Sequence, residues 1–348
     1  NRRDIETFIL DHPFDDEASR ERTPDFKKIT LPVLSAANWG GQGLHPRGNF
    51  EGFLEVASDQ KWLEVHGDAH WSHFYTDYGL AVQKRFLGHF LKGQDTGWDK
   101  QPKVQLQVRH PGEKFVERHE TQWPLASTQW TKLYLDPGNG LLARKRAAGK
   151  ATRTFEAMGA GVTFLTEPLD KATEITGPSA VKLFVSSSTR DADIFVVLRV
   201  FTGDLEEVVF QGAIDPHTPI GQGWLRASHR KLDKKLSMPY RPYHGHDKAQ
   251  PLKKGEVAEL DVEIWPISIV VPAGHRIGLT IRGKDYVYHG PSGGKLSNFK
   301  NELTGCGPFL HDDPRDRPMD VFGGATSLHF GRDKQSYLLL PVIPPKKG

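Results

Sequence analysis

The sequence predicts an α/β segment over residues 1–97 followed by an all-β domain over residues 98–348. Within the first segment, residues 31–66 alternate an apolar run, a helix-like stretch and a second apolar run, as parallel strands joined by a helix do. From residue 103 onward, short runs such as VQLQVRH, WTKLYLD and DIFVVLRVF recur between Gly, Pro, Asp and Asn, without helical periodicity. Such a series favours a β-sandwich with jelly-roll topology.

Charge balance and cysteine usage exclude several classes of protein. A net charge of +3 is small beside 46 basic and 43 acidic residues, so no nucleic-acid partner is expected. No apolar run reaches the roughly 18 residues of a membrane span, so no membrane partner is expected either. Cys306 is the single cysteine, which excludes an internal disulfide and a cysteine zinc site. We interpret it as structural, and one cysteine is compatible with the cytoplasm.

A candidate site lies between residues 31 and 73. LPVLSAA predicts a buried strand that ends at Asn38-Trp39-Gly40-Gly41, residues 49–56 predict a short helix, and KWLEV predicts a second strand that ends at His66-Gly67. Ligands of open α/β sheets bind at the carboxyl ends of parallel strands. We therefore expect the two loops to lie side by side and to carry the chemistry.

The flanks of this stretch predict helices but few further strands. Residues 1–30 are polar and predict a surface helix or linker ending near Pro24, and Asp77–Lys92 predicts an amphipathic helix capped by Asp77 and stopped by Gly93. One stripe of that helix carries Leu80, Leu87 and Leu91, with Val82, Phe86 and Phe90 beside it. These elements are too few for a finished α/β layer, so we expect an upstream segment or a second chain to complete it.

Several long motifs resemble one family. ANWGGQGLHPRGNFEGF, RFLGHFLKG, PSAVKLFVSSSTRDADIFVVLRVF, GWLRASHRKLD and ELDVEIWPISIVVPAGHRIGLTI are similar to the CocE/NonD hydrolases, the family of cocaine esterase and the X-Pro dipeptidyl-peptidases. The resemblance runs over nearly the whole chain. It implies an α/β-hydrolase core with a Ser-His-Asp triad and a helical cap, followed by a galactose-binding-like β-sandwich.

The resemblance selects one of three neighbouring histidines as the catalytic base. α/β-hydrolases place the triad in the chain order Ser, acid, His, and His70 follows the strand KWLEV where the base is expected. His66 and His73 share the same loop sequence, HGDAHWSH. Their H-x3-H-x2-H spacing could suggest a metal site, but Gly67 and the lack of a further acidic or cysteine partner disfavour it. We predict neither a metal nor a cofactor.

The triad acid is where the sequence departs from the family pattern. The family's Asp corresponds to Gly41, which has no carboxylate. Asp68 is one alternative, Glu51 is a second and less favoured one, and an acid upstream of residue 1 is the third. We also predict that Trp39, Gly40 and Gly41 bind substrate, because glycines permit close approach of the backbone to a ligand.

The nucleophile is not recognisable in this sequence. Residues 290–294, GPSGG, match G-x-S-x-G, but Ser292 lacks the preceding apolar strand and the following helix that the elbow needs, and it comes after His70. We interpret GPSGG as a loop and expect the serine upstream. The resemblance also implies that GWLRASHR, with Trp224, Arg226 and His229, lines the contact between the two regions.

These observations predict a serine hydrolase of ester or amide bonds, of which this chain supplies the histidine and the sandwich. Its substrate would be a small ester or a short peptide. X-Pro dipeptidyl-peptidase activity is the alternative within that class, and a non-catalytic sandwich that binds carbohydrate or protein is the alternative outside it. We predict that residues 1–348 alone are inactive. Self-association stays open.

Overall fold

The computed structural model describes residues 4–69, 71, 73–146, 149–290, 302–307 and 310–345. The helices are α1 (Ile5–Asp11), α2 (Glu17–Arg20), α3 (Pro46–Glu55), α4 (Asp77–Lys92) and α5 (Met319–Phe322). The strands are β1 (Val33–Asn38), β2 (Lys61–His66), β3 (Val104–His110), β4 (Lys114–Glu120), β5 (Gln129–Asp136), β6 (Leu141–Ala143), β7 (Ala151–Glu156), β8 (Val162–Leu165), β9 (Thr173–Ser187), β10 (Asp193–Phe201), β11 (Glu207–Val208), β12 (Gly221–Arg226), β13 (Ala258–Val271), β14 (Arg276–Arg282), β15 (Ala325–Phe330) and β16 (Tyr337–Ile343).

The first sheet has the strand order β1-β2-β3-β4. β1, β2 and β3 are parallel, and β4 returns antiparallel to β3. Because side chains alternate along a strand, Leu63 and Val65 of β2 face the α3 side and share a hydrophobic cluster with Phe50 and Phe53. Trp62 points the other way, where its ring meets Phe86 and Phe90 of α4. The parallel β1-α3-β2 unit confirms the predicted strand-helix-strand order.

One strand belongs to a different sheet from the one predicted. VQLQVRH, expected among the sandwich strands, forms β3 and pairs in parallel with β2, so that Leu106 lies opposite Val65. The crossover through α4 makes this pairing possible, since parallel neighbours need a long connection. The sequence could not distinguish the two sheets because a fully buried apolar run looks the same in either. The domain boundary at residues 97 and 98 remains a prediction.

The remaining strands form a β domain of largely antiparallel pairs. β5 to β16 form one hydrogen-bonded network among the described residues, in which the long strands β9 and β13 pair antiparallel with a register shift between Ile264 and Ile267. Leu183 of β9, Leu260 of β13 and Ile281 of β14 belong to one hydrophobic cluster and are essentially inaccessible to solvent. This sheet-rich architecture agrees with the predicted class, and the jelly-roll topology remains a prediction.

Helix α4 confirms the predicted amphipathic helix and shows which face packs. Thr76 is its N-cap, rather than the expected Asp77, and accepts a hydrogen bond from the Gly79 N–H, while Gly93 ends the helix at φ 62°. The leucine stripe lies outward: Leu80, Leu87 and Leu91 are 37%, 45% and 77% exposed. None of the described helices combines the length and apolarity needed to cross a bilayer.

Polar side chains join the first sheet to the β domain. Arg109 of β3 is 1% exposed, and its guanidinium donates to the carbonyl oxygens of Ser268 at 2.7 Å and Ile220 at 2.8 Å. Glu51 of α3 forms an ion pair with Arg241 at 2.7 Å. Both carboxylate oxygens of Glu51, one of the acids considered from the sequence, accept hydrogen bonds from Arg241.

Candidate functional site

The candidate site is built on the parallel pairing of β1 and β2. Their register places Asn38 opposite His66, so both loops leave the sheet at the same edge. This arrangement confirms the expectation that the two loops lie together. It follows from the crossover through α3, which returns the chain to the same end of the sheet before β2 begins.

Asn38 holds the two loops at a fixed separation. Its Nδ2 donates to the carbonyl oxygens of Gly67 at 3.1 Å and Asp68 at 2.7 Å, and its Oδ1 accepts the Gly40 N–H at 3.0 Å. The side chain is 1% exposed, so these bonds are shielded from water. Sequence reasoning treated Asn38 only as the end of a strand, although a buried amide at a strand end needs several partners.

Trp39 lies inside the core of the first region. Its indole N–H donates to the Gln107 carbonyl at 2.8 Å, and its ring packs near Phe50 and Trp123. The side chain is fully buried. Its predicted role in substrate binding remains a prediction, and the described contacts of the indole are those of a core residue.

Gly40 and Gly41 occupy crowded positions. A Cβ on Gly40 would lie 2.4 Å from the Cα of Gly212 in the β domain, and one on Gly41 would lie 3.1 Å from Cδ of Pro46. Close approach, rather than a left-handed conformation, therefore requires glycine at residue 40; the positive φ of this turn belongs to Gly43, at 78°. Both glycines line a cavity between the two regions, and their predicted role in substrate binding remains a prediction.

The histidine loop begins with a strained residue. Asp68 has φ 59°, a left-handed value that non-glycine residues rarely adopt, and its Oδ1 accepts the Ala69 N–H at 2.7 Å. Its side chain is exposed. His70, the predicted base, and Ser292 of the GPSGG sequence lie outside the described residues, so the expected pairing of His70 with Asp68 remains a prediction.

A buried polar cluster that the sequence analysis did not recognise lies under this loop. His66 Nδ1 is 2.8 Å from a Glu64 oxygen, Tyr78 donates to the other Glu64 oxygen at 3.1 Å, and the His66 and His73 rings stack with centroids 4.2 Å apart. Burial, with the neighbouring His66 adding to it, lowers the pKa of His73 to about 4. The i, i+2 spacing of Glu64 and His66 on a strand was the available signal.

Glu64, His66 and His73 are residue types that bind metals, but their side chains are not oriented to bind one ion together. Ligand atoms of Glu64, His66 and His73 lie within 4.8 Å of one another. The two imidazole planes, however, are only 12° apart and stacked, so the in-plane lone pairs run alongside each other rather than converging on one ion. We interpret the cluster as a hydrogen-bonded stack in which Glu64 orients His66.

A cavity of about 260 Å³ opens where the two regions meet. The loop after β1 contributes Gly40, Gly41 and Leu44 to its wall, and the β domain contributes Ile214 and Cys306 among others. The Cys306 thiol donates to Gln222 Oε1 at 3.3 Å, and burial raises its pKa to about 12. A thiol that stays protonated is a poor nucleophile, which agrees with the structural role expected from the sequence.

The predicted interface residues of β12 and its following turn divide into two groups. The Trp224 ring reaches Gly43, since a Cβ there would lie 3.5 Å from the indole. Arg226 instead pairs with Asp193 and Asp316 within the β domain, and His229 Nδ1 lies 3.0 Å from His246 Nδ1. Trp224 thus meets the loop of the candidate site, and the His229 ring also reaches the first region, where it stacks on Phe14 with centroids 5.2 Å apart.

Comparison with known proteins identifies relatives over almost the whole chain. The family described as the X-Pro dipeptidyl-peptidase C-terminal non-catalytic domain matches residues 96–338. A CocE/NonD family hydrolase from Staphylococcus aureus has the same fold, with a TM-score of 0.85, 28% identity and coverage of 98% of this chain and 59% of its own. An aminopeptidase from a marine sediment archaeon shares the fold at a TM-score of 0.71 and 15% identity, over 98% of this chain and 60% of its own.

Curated relatives point to the same group of enzymes. A putative serine esterase of Mycobacterium bovis is 29% identical over 75% of this chain and 40% of its own length. The cocaine esterase of a Rhodococcus species is 22% identical over 96% of this chain and 61% of its own length. The chain thus spans about 40 to 61% of the length of these relatives.

The parallel sheet whose loops face a β domain is shared with the Staphylococcus aureus protein. The chain belongs to the CocE/NonD hydrolase family, and residues 96–338 carry its X-Pro dipeptidyl-peptidase C-terminal domain.

Proposed function

We propose that this chain is the carboxyl-terminal part of a serine hydrolase that cleaves ester or amide acyl bonds. The observation that carries the proposal is the meeting of the two loops at one sheet edge, beside a largely apolar cavity shared with the β domain. An apolar cavity next to convergent polar groups is the usual form of a site for a small substrate.

In the proposed reaction, a serine from upstream attacks the substrate carbonyl carbon. His70 takes the hydroxyl proton as general base and then donates it to the leaving alcohol or amine, as the bond to the acyl carbon breaks. Water, deprotonated by the same imidazole, then releases the acid and restores the serine. The chain's own contribution is the base, the cavity wall and the β domain that closes it.

An upstream segment, or a second chain, is proposed to complete the first sheet. β1 is an edge strand of this sheet among the described residues, and a cavity of about 280 Å³ beside it is lined by Leu34, Ala36 and residues of α4. An uncovered strand edge with an apolar face beside it favours further pairing. We therefore expect a protein of residues 1–348 alone to show no turnover.

Labelling by a serine-reactive fluorophosphonate tests the proposal. The intact protein should react with the probe and hydrolyse a nitrophenyl acyl ester, and His70→Ala should lower kcat by roughly 10³-fold or more, because the base is lost. His66→Ala serves as the matched control from the same loop sequence and should retain more activity. Absence of labelling in the intact protein, or a larger loss for His66→Ala than for His70→Ala, would contradict the assignment.

Two alternatives have specific support. The family description supports X-Pro dipeptidyl-peptidase activity, which predicts turnover of an Ala-Pro-anilide faster than of the ester. The same description calls the matched domain non-catalytic, which supports a binding role for residues 96–338. A binding role alone predicts affinity for a carbohydrate or protein without any labelling of the intact protein.

A further inference from the structure

Glu113 is a carboxylate that the sequence analysis did not consider, and it lies beside the candidate site. It occupies the turn between β3 and β4 with φ 56°, directly after Gly112 at φ 82°. A left-handed conformation is unfavourable for a side chain such as glutamate, and strained residues cluster at functional sites. The turn therefore holds this carboxylate in place at some conformational cost.

Contacts on both sides place the β3-β4 hairpin, which carries Glu113, beside the loops of the candidate site. Its Oε1 accepts the N–H of Gln211, and the carbonyl oxygen of Gln211 abuts Gly40, where a Cβ would lie 2.6 Å from it. On the other side, the ring of Phe115 packs on Gly67, where a Cβ would lie 1.9 Å from the ring. The hairpin is thus packed against the loop after β2 and, through Gln211, against the loop after β1.

We propose that Glu113 supplies the carboxylate of this site, in place of the one that Gly41 lacks, and acts as a positioning residue for the imidazole base. The inference rests on the proposed function. Asp68 is the competing candidate, but its side chain is exposed and one of its oxygens already caps its own loop. Glu113 is half-buried and better shielded from water, which strengthens its interaction with an imidazolium.

The charges around Glu113 are consistent with such a role. Burial raises the pKa of Glu113 to about 7, the Gln211 N–H and Arg109 of β3 lower it, and Asp68 on the loop after β2 raises it. A carboxyl with this pKa ionises in the same range as a histidine. At acid pH, protonation of either Glu113 or the imidazole base should therefore lower kcat. Because the two ionisations overlap, a plot of log kcat against pH should approach a slope of two on its acid side.

Steady-state kinetics of the intact protein test the inference. Glu113→Gln should lower kcat for a nitrophenyl acyl ester by about 10²- to 10⁴-fold with KM changed less than about threefold, because the imidazole loses its orienting charge. For Glu113→Gln, the slope of log kcat against pH on the acid side should fall to one. Glu113→Asp should recover part of kcat. Glutamine can still accept the Gln211 N–H, so the turn should be kept.

Glu117→Gln is the matched control, since Glu117 is exposed on β4 of the same hairpin and forms its ion pair with the exposed His119. It should leave kcat unchanged. A Glu113→Gln protein that keeps full kcat and a slope of two, or a large loss confined to Asp68→Asn, would overturn the inference while the proposed function stands. If the intact wild-type protein neither hydrolyses the ester nor reacts with fluorophosphonate, the proposed function itself fails, and the inference with it.

Discussion

The two regions of this chain bury their apolar side chains to very different extents. In the β domain, Leu260 and Ile281 are inaccessible to solvent, and strands from both ends of the network share one cluster. In the first region, Leu87 and Leu91 of α4 remain 45% and 77% exposed although they belong to the predicted apolar stripe. An amphipathic pattern thus identifies which face of a helix is apolar. It does not identify the segment that packs on that face, because that depends on residues outside the helix.

Paired leucine truncations test this contrast most strongly. Leu260→Ala should lower the free energy of unfolding by about 2–5 kcal/mol, because it removes buried contacts and leaves a cavity. Leu87→Ala should lower it by less than about 1 kcal/mol, because water already reaches the side chain. Urea unfolding of both variants of residues 1–348 would measure the difference. Equal losses would mean that the α4 face is covered in solution, for example by self-association.

Two glycine substitutions compare the effect on stability of a residue at the contact between the regions with that of a residue within helix α3. Gly40→Ala should destabilise the chain by roughly 1–3 kcal/mol, since the added Cβ meets the backbone of Gly212 at 2.4 Å. Gly48→Ala, in α3 with nothing within 4 Å of its Cβ, should instead stabilise the chain by roughly 0.5–1 kcal/mol. Thermal unfolding checks the signs. A neutral Gly40→Ala would show that the two backbones separate readily.

Acid should destabilise both regions through one histidine each, the buried His73 and the half-buried His244. Burial lowers the pKa of His73 in the first region and of His244 in the β domain to about 4, in each case assisted by a neighbouring histidine. Below the unfolded pKa of about 6.5 the unfolded chain binds a proton that the folded chain resists, so stability should fall from pH 6.5 toward pH 4.

Replacing either histidine should therefore weaken this pH dependence. His73→Gln and His244→Gln should each remove about 1 kcal/mol of the stability lost between pH 7 and pH 4.5, with partial solvent access limiting the effect. Urea midpoints at the two pH values measure it. If both variants keep the full wild-type dependence, other groups dominate the acid response; if only one variant responds, the two regions differ in acid sensitivity.

Local patterns predicted most of the elements and the position of the candidate site. The strands β1 and β2, helix α4 and the meeting of the two loops follow from apolar periodicity and from the rule for parallel sheets. Periodicity carries no information on long-range pairing, which is why β3 was expected in the wrong sheet. Glu113 was missed for the same reason, since its partner Gln211 is distant in sequence, whereas Glu64 had a local signal in its i, i+2 spacing from His66.

Whether a side chain near the candidate site is free to contact substrate depends on how it packs, which the sequence does not show. The sequence predicts that Trp39 binds substrate; in the structure its indole is buried and donates to the Gln107 carbonyl, and the substrate role remains a prediction. Glu51 resembles a free carboxylate, and its oxygens are taken by Arg241. A residue type at a loop suggests chemistry, but its partners determine whether the side chain is available for it.

The side-chain amide of Asn38 links the two loops, so that they form one structural unit. One buried side chain binds the backbone of Gly40, Gly67 and Asp68, so these three hydrogen bonds set the spacing of the loops. A designer who moves residues 38–41 into another parallel sheet would need to move residues 66–69 with them.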